Sequence, residues 1–151
     1  MPLATLASGD EPESIAADLG LSVLRIGVGL MMACGHGIAK VPPPAGFVEA
    51  VGQLGFPLPT VFAWAAGLAE LVGGLLIAAG FLTRPAALFL AVTMGVAAFV
   101  RHGGDPVFSR EGPAKELALL YLVAAVAFLV AGAGRFGVDA LLRRRGRADA
   151  A

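Results

Sequence analysis

The stretch TVFAWAAGLAELVGGLLIAAGFL, residues 60–82, decides the fold. It holds 23 residues with a single charge, Glu70. A helix rises about 1.5 Å per residue, so some 20 such residues cross the ~30 Å hydrocarbon layer of a bilayer. Its apolar character is continuous, whereas a membrane β-strand alternates every second residue over about ten. A transmembrane helix is therefore expected at 60–82.

Working outward, three more apolar segments appear. The first, Leu19 to Ala39, is interrupted by Arg25 and His36; the third, Pro85 to Val100, carries no charge; the fourth, Leu117 to Gly134, is uninterrupted. Pro85 suits a first helical turn, where its missing N–H is no loss. The composition fits. Hydrophobic residues make up 58% of the chain before its 21 glycines are counted, and charged residues only 15%, where soluble domains average about 25%. A water-soluble fold of this composition would expose apolar patches that monomers rarely tolerate. The expected class is all-α, an integral membrane four-helix bundle, because hydrocarbon forces each backbone N–H to pair within its own helix.

Charge is pushed to the ends: of 22 charged groups, four lie in residues 1–18 and seven in 135–151. Residues 1–18 read as an acidic disordered tail and 135–151 as a basic cytoplasmic tail, with the membrane domain at 19–134. The absence of Lys and Arg before Arg25 argues against a cleaved signal peptide, so the first span is expected in the mature protein. Between spans one and two, prolines 42–44, 57 and 59 bracket Phe47, Val48, Val51 and Leu54 at helical spacing, predicting a short interfacial helix near 46–54. Trp64 fits an interfacial anchor. The face carrying both termini and Arg84 has six Lys and Arg, the opposite face four, which favours both termini in the cytoplasm of a bacterial inner membrane protein. The run RRRGR at 143–147 reads as an anchor on anionic lipid; with a net charge of zero, nucleic acid is not an expected partner. Small residues every fourth position (Gly29, Ala33, Gly37; Ala65, Ala69, Gly73; Ala87, Ala91, Gly95) predict close helix packing and leave room for a homo-oligomer. No repeat relates the two halves, so an inverted-repeat transporter has no support.

An ionised group inside the membrane costs about 2.5–3.5 kcal/mol on insertion scales and needs a partner or a role. Glu70 sits near the midplane of its span. At 100° per residue Arg25, Gly29, Met32, His36 and Lys40 share one face of span one, and an Arg25–Glu70 ion pair is expected, either as a staple fixing helix register or as part of a working site. His36, Lys40, Arg101, His102, Lys115 and Glu116 are expected to meet at the face opposite the termini, where they would hold an anion, a quinone headgroup or a partner's acidic surface, or simply reach water as snorkelling cations. Two histidines make no metal motif, so no metal is expected. Cys34 is read as a small packing residue, and as the lone cysteine it allows neither an intrachain disulfide nor a CxxC pair.

The chain resembles the DoxX family of small bacterial membrane proteins. The resemblance rests on RIGVGL at 25–30 leading to GHGIAK at 35–40, GFPLP at 55–59, ELVGGLLIAAG at 70–80, TRPAAL at 83–88, the RHGG end of span three, GPAKELALL at 112–120 and GAGRFGVD at 132–139. It implies a four-helix membrane protein, some of whose relatives are subunits of thiosulfate:quinone oxidoreductases or partner a sulfurtransferase and a superoxide dismutase. The family's polar positions carry over as Arg25, Lys40 and Glu70, and then Glu116; Gly137 stands where the family usually has Ser. Together these readings give a membrane subunit or docking partner of a redox system, in contact with a soluble redox enzyme and with quinone, but with no electron carrier of its own. The alternative is a non-enzymatic transporter or scaffold.

Overall fold

A computed structural model describes residues 15–148. Helix α1 spans Ile15–Met32 and continues through a π-helical turn at Ala33–Gly37 and a 3-10 turn at Ile38–Lys40. Helix α2 is Ala45–Gln53, α3 Pro59–Ala79 and α4 Thr83–Val96, the last extended by a second π turn at Ala97–Arg101. Helix α5 is Glu116–Ala131 and α6 Val138–Ala148. The protein is a helical membrane bundle of α1, α3, α4 and α5. With their terminal turns the first three are long and apolar enough to cross a bilayer. At 16 residues α5 reaches only ~24 Å, the kind of shortfall a bilayer meets by local thinning. Large apolar side chains point outward on every long helix, among them Val23, Leu75, Phe89 and Val123. Such faces need lipid.

The element boundaries depart from the sequence reading at both ends. Residues 15–18 belong to α1 instead of a tail; Asp18 accepts the backbone N–H of Arg135 at 3.1 Å, which fixes the first turn against the far end of the chain. The remainder of the expected tail, 1–14, lies outside the described residues. The basic tail is helical from Val138 to Ala148, with 149–151 likewise outside the described residues. The fourth span stops at Ala131, not Gly134, because Gly132 (φ 74°) and Gly134 (φ 67°) turn the chain through positive φ, where side chains are disfavoured.

Backbone contact between α1 and α3 organises the core. A Cβ on Gly29 would lie 2.5 Å from the Gly74 carbonyl oxygen, one on Gly74 2.8 Å from that of Gly29, and one on Gly37 2.5 Å from the Leu71 Cα. The expected stripe of span one packs on α3 at Leu71, Gly74 and Ala78, while Ala65 and Ala69 line a cavity instead. Further from this seam, Met32, Ile77, Leu90, Met94 and Phe128 fill the interior where α1, α3, α4 and α5 meet. Cys34 is exposed, not packed, since it lies on the outward side of the π turn.

Candidate functional site

The bundle has two ends. At one, the α3–α4 turn, the start of α1 and residues 132–144 lie together; at the other are Lys40, α2 and the 102–115 loop. Glu70 hangs from α3 about 16 Å along from Pro59. Its side chain is 3% exposed, and both carboxylate oxygens accept from Lys40 Nζ, at 2.6 and 2.7 Å. Lys40 also lies over the Phe47 ring, 5.2 Å from its centre. The π turn produces this arrangement: a turn wider than 3.6 residues breaks the 100° register assumed for the stripe, so His36 and Lys40 face different neighbours. His36 packs edge-on to Tyr121 of α5, ring centres 5.6 Å apart.

The expected Arg25–Glu70 pair does not form. Arg25, 2% exposed, donates through one terminal nitrogen to the carbonyls of Ile77 and Ala78, at 2.7 and 2.6 Å, and its Nε has no partner among the described residues. It caps the last turn of α3, where free carbonyls carry the negative end of the helix dipole. Helix depth alone matches Arg25 to Glu70, but the carbonyls of α3 are nearer and available. Gly80 follows in the left-handed conformation (φ 69°), closing the turn with N–H bonds from Gly80 to Ile77 and from Phe81 to Leu76. A Cβ at Gly80 would fall 2.6 Å from the Arg25 guanidinium and 2.7 Å from Gly137 Cα. The neighbouring Asp139, which the sequence reading does not single out, caps α4 by accepting the N–H groups of Leu82 (2.8 Å) and Thr83 (3.1 Å). Its sequence signal is faint, a lone Asp before a basic run, because the capped helix begins more than 50 residues upstream.

Lys40 and Glu70 stand in a cavity of about 490 Å³. Its walls are mainly apolar: Phe47, Phe56, Phe62 and Phe89 with Val51 and Val92, from α2, the α2–α3 connection, α3 and α4. Phe56 and Phe62 pack at 4.6 Å and hold the entry to α3. Arg101 and His102 complete the lining, and Arg101 has no carboxylate partner among the described residues. The structure therefore brings together four of the expected residues, Lys40, Glu70, Arg101 and His102. His36 stays against Tyr121, and Glu116 is exposed at the first turn of α5, where a carboxylate suits the helix dipole. Lys115 donates to the Gly103 carbonyl at 3.0 Å. His102 Nδ1 contacts Asp105 at 2.7 Å. Among the described residues no three His, Cys, Asp or Glu side chains converge as a metal site.

A buried ion pair inside a four-helix membrane bundle, facing an aromatic cavity, defines a small polytopic membrane protein with an internal pocket. A family model for DoxX matches residues 20–103, and the chain belongs to the DoxX family. It is 37% identical over 122 residues to an uncharacterized protein of Haemophilus influenzae, covering 79% of this chain and 87% of that one. It is 34% identical over 134 residues to the inner membrane protein YqjF of Escherichia coli, 85% and 95% covered, and 35% over 94 residues to the inner membrane protein YphA of Escherichia coli, 62% and 66% covered. No solved structure matches.

Proposed function

We propose that this protein is a bacterial inner-membrane subunit that supports or docks a soluble redox enzyme and holds a quinone headgroup in the cavity beneath α2, with both termini in the cytoplasm. The observation that carries this reading is the cavity itself, an aromatic chamber within the membrane with one polar end. Its volume falls within the ~300–1,000 Å³ of small-molecule sites. A quinone is a flat ring with opposed carbonyl acceptors. Phe47, Phe56, Phe62 and Phe89 supply faces for the ring. An ammonium has three N–H donors; Glu70 takes two from Lys40, leaving one for an acceptor oxygen. Arg101 and His102 offer donors on the loop side. A bound quinone would contribute the electron-accepting chemistry. The chain has no CxxC pair, so electrons would come from the partner enzyme. Orientation follows the six Lys and Arg on the face with Arg84 and the C-terminal helix.

The test is photolabelling of the purified protein in nanodiscs with an azidoquinone, followed by peptide mapping. Label should concentrate on α2, α3 and α4, compete with unlabelled short-chain quinone, and fall several-fold in Lys40→Met. Label spread evenly over the lipid-facing helix surfaces, and unchanged by Lys40→Met, refutes the site.

A further inference from the structure

A second cavity, about 790 Å³, opens at the opposite end of the bundle and is polar where the first is apolar. Arg84 from α4, Arg135 from the loop after α5, and Arg143 and Arg144 from α6 all line it, together with Asp18 and Asp139. Four guanidiniums against two carboxylates leave a formal excess of two positive charges. The carboxylates are already committed: Asp18 to the Arg135 backbone N–H, Asp139 to those of Leu82 and Thr83. Of the guanidiniums only Arg84 has a protein partner among the described residues, the Val130 carbonyl at 3.2 Å. Arg135, Arg143 and Arg144 find no acceptor among the described residues and stand beside a concave surface.

Like charges are gathered on three separate elements and outnumber the carboxylates that line the same pocket among the described residues. That arrangement suits a multivalent anion, and guanidinium forks match phosphate oxygens two at a time. The pocket's position selects the source. Leu21 is part of its wall, and exposed apolar side chains adjoin the arginines in sequence: Leu82, Phe136, Leu141 and Leu142. A ligand here has its charge among arginines and hydrocarbon alongside. We propose that this pocket binds the phosphate headgroup of an anionic phospholipid, clasping α1, α4, α5 and α6 together at the membrane surface. The site is independent of the quinone cavity and of any redox role.

The experiment is native mass spectrometry of the full-length protein released from nanodiscs of phosphatidylglycerol or of phosphatidylcholine. Wild type should retain phosphatidylglycerol in preference to phosphatidylcholine. The triple variant Arg135→Gln/Arg143→Gln/Arg144→Gln should lower that retention about a hundredfold, three basic residues each contributing ~1 kcal/mol at a membrane surface. The single variant Arg144→Gln should give a smaller drop in the same direction. Arg110, exposed on the loop at the opposite end of the bundle and outside the pocket, serves as control, and Arg110→Gln should keep retention at the wild-type level. Equal retention of the two lipids overturns the proposal, as does an Arg110→Gln loss matching that of the triple variant. Displacement of phosphatidylglycerol by millimolar inorganic phosphate also overturns it, assigning the pocket to a free phosphate instead.

Discussion

Lys40→Met removes both hydrogen bonds, 2.6 and 2.7 Å, from a Glu70 side chain that is only 3% exposed. Glu70→Gln instead spares Lys40, which is 29% exposed and has a stem long enough to turn its ammonium toward the loop face. The two single substitutions should differ for that reason. Breaking a buried pair from one side costs about 3–5 kcal/mol when the survivor stays buried and charged, so Lys40→Met should cost about 3 kcal/mol. Glu70→Gln, which retains an acceptor and releases a partly exposed cation, should cost about 1 kcal/mol. The double variant leaves no unpaired charge and should cost about 2 kcal/mol, giving a coupling of about 2 kcal/mol. The assay is reversible unfolding in mixed micelles, followed by circular dichroism. A coupling under about 0.5 kcal/mol, or a Glu70→Gln cost above that of Lys40→Met, refutes the pair as the partner that neutralises the interior.

The same unfolding assay checks three further expectations. Arg25→Met should cost about 2–3 kcal/mol through the loss of the charged hydrogen bonds to Ile77 and Ala78, and it should add to Glu70→Gln within about 0.5 kcal/mol because the two residues do not meet. Gly29→Ala should cost about 2 kcal/mol, as its Cβ would sit 2.5 Å from the Gly74 oxygen, whereas Gly35→Ala, whose Cβ meets nothing within 4 Å, should stay within about 0.5 kcal/mol of wild type. Asp139→Ala should cost about 0.5–2 kcal/mol by uncapping α4, with Asp139→Asn recovering only part of it, because each N–H uses a different carboxylate oxygen and an amide has one.

Much of the architecture is legible in the chain because hydrocarbon permits so few solutions. Apolar runs near 20 residues have to be helices, and the prolines at 42–44, 57 and 59 mark α2 from both sides. Small residues at every fourth position in α1 announce the seam with α3. Glu70 stands out as a charge within an apolar run, and Lys40, Arg101 and His102 as polar groups at one end of the bundle. The partnerships are less accessible. Arg25 and Glu70 match when depth is counted along ideal helices, yet a guanidinium is satisfied equally well by helix-end carbonyls, which no residue type announces.

Membrane residence, the number of spans and the presence of buried charges are settled by the chain's local chemistry, since each depends on the cost of putting a given group in hydrocarbon. Which charge meets which is settled only by the assembled bundle. The π turn at Ala33–Gly37 rotates the rest of α1 and carries Lys40 to Glu70, and the fold sets Asp139 against a helix start more than 50 residues away. Both cavities arise in the same way: their walls come from helices far apart along the chain, and the space between them exists only after those helices have packed.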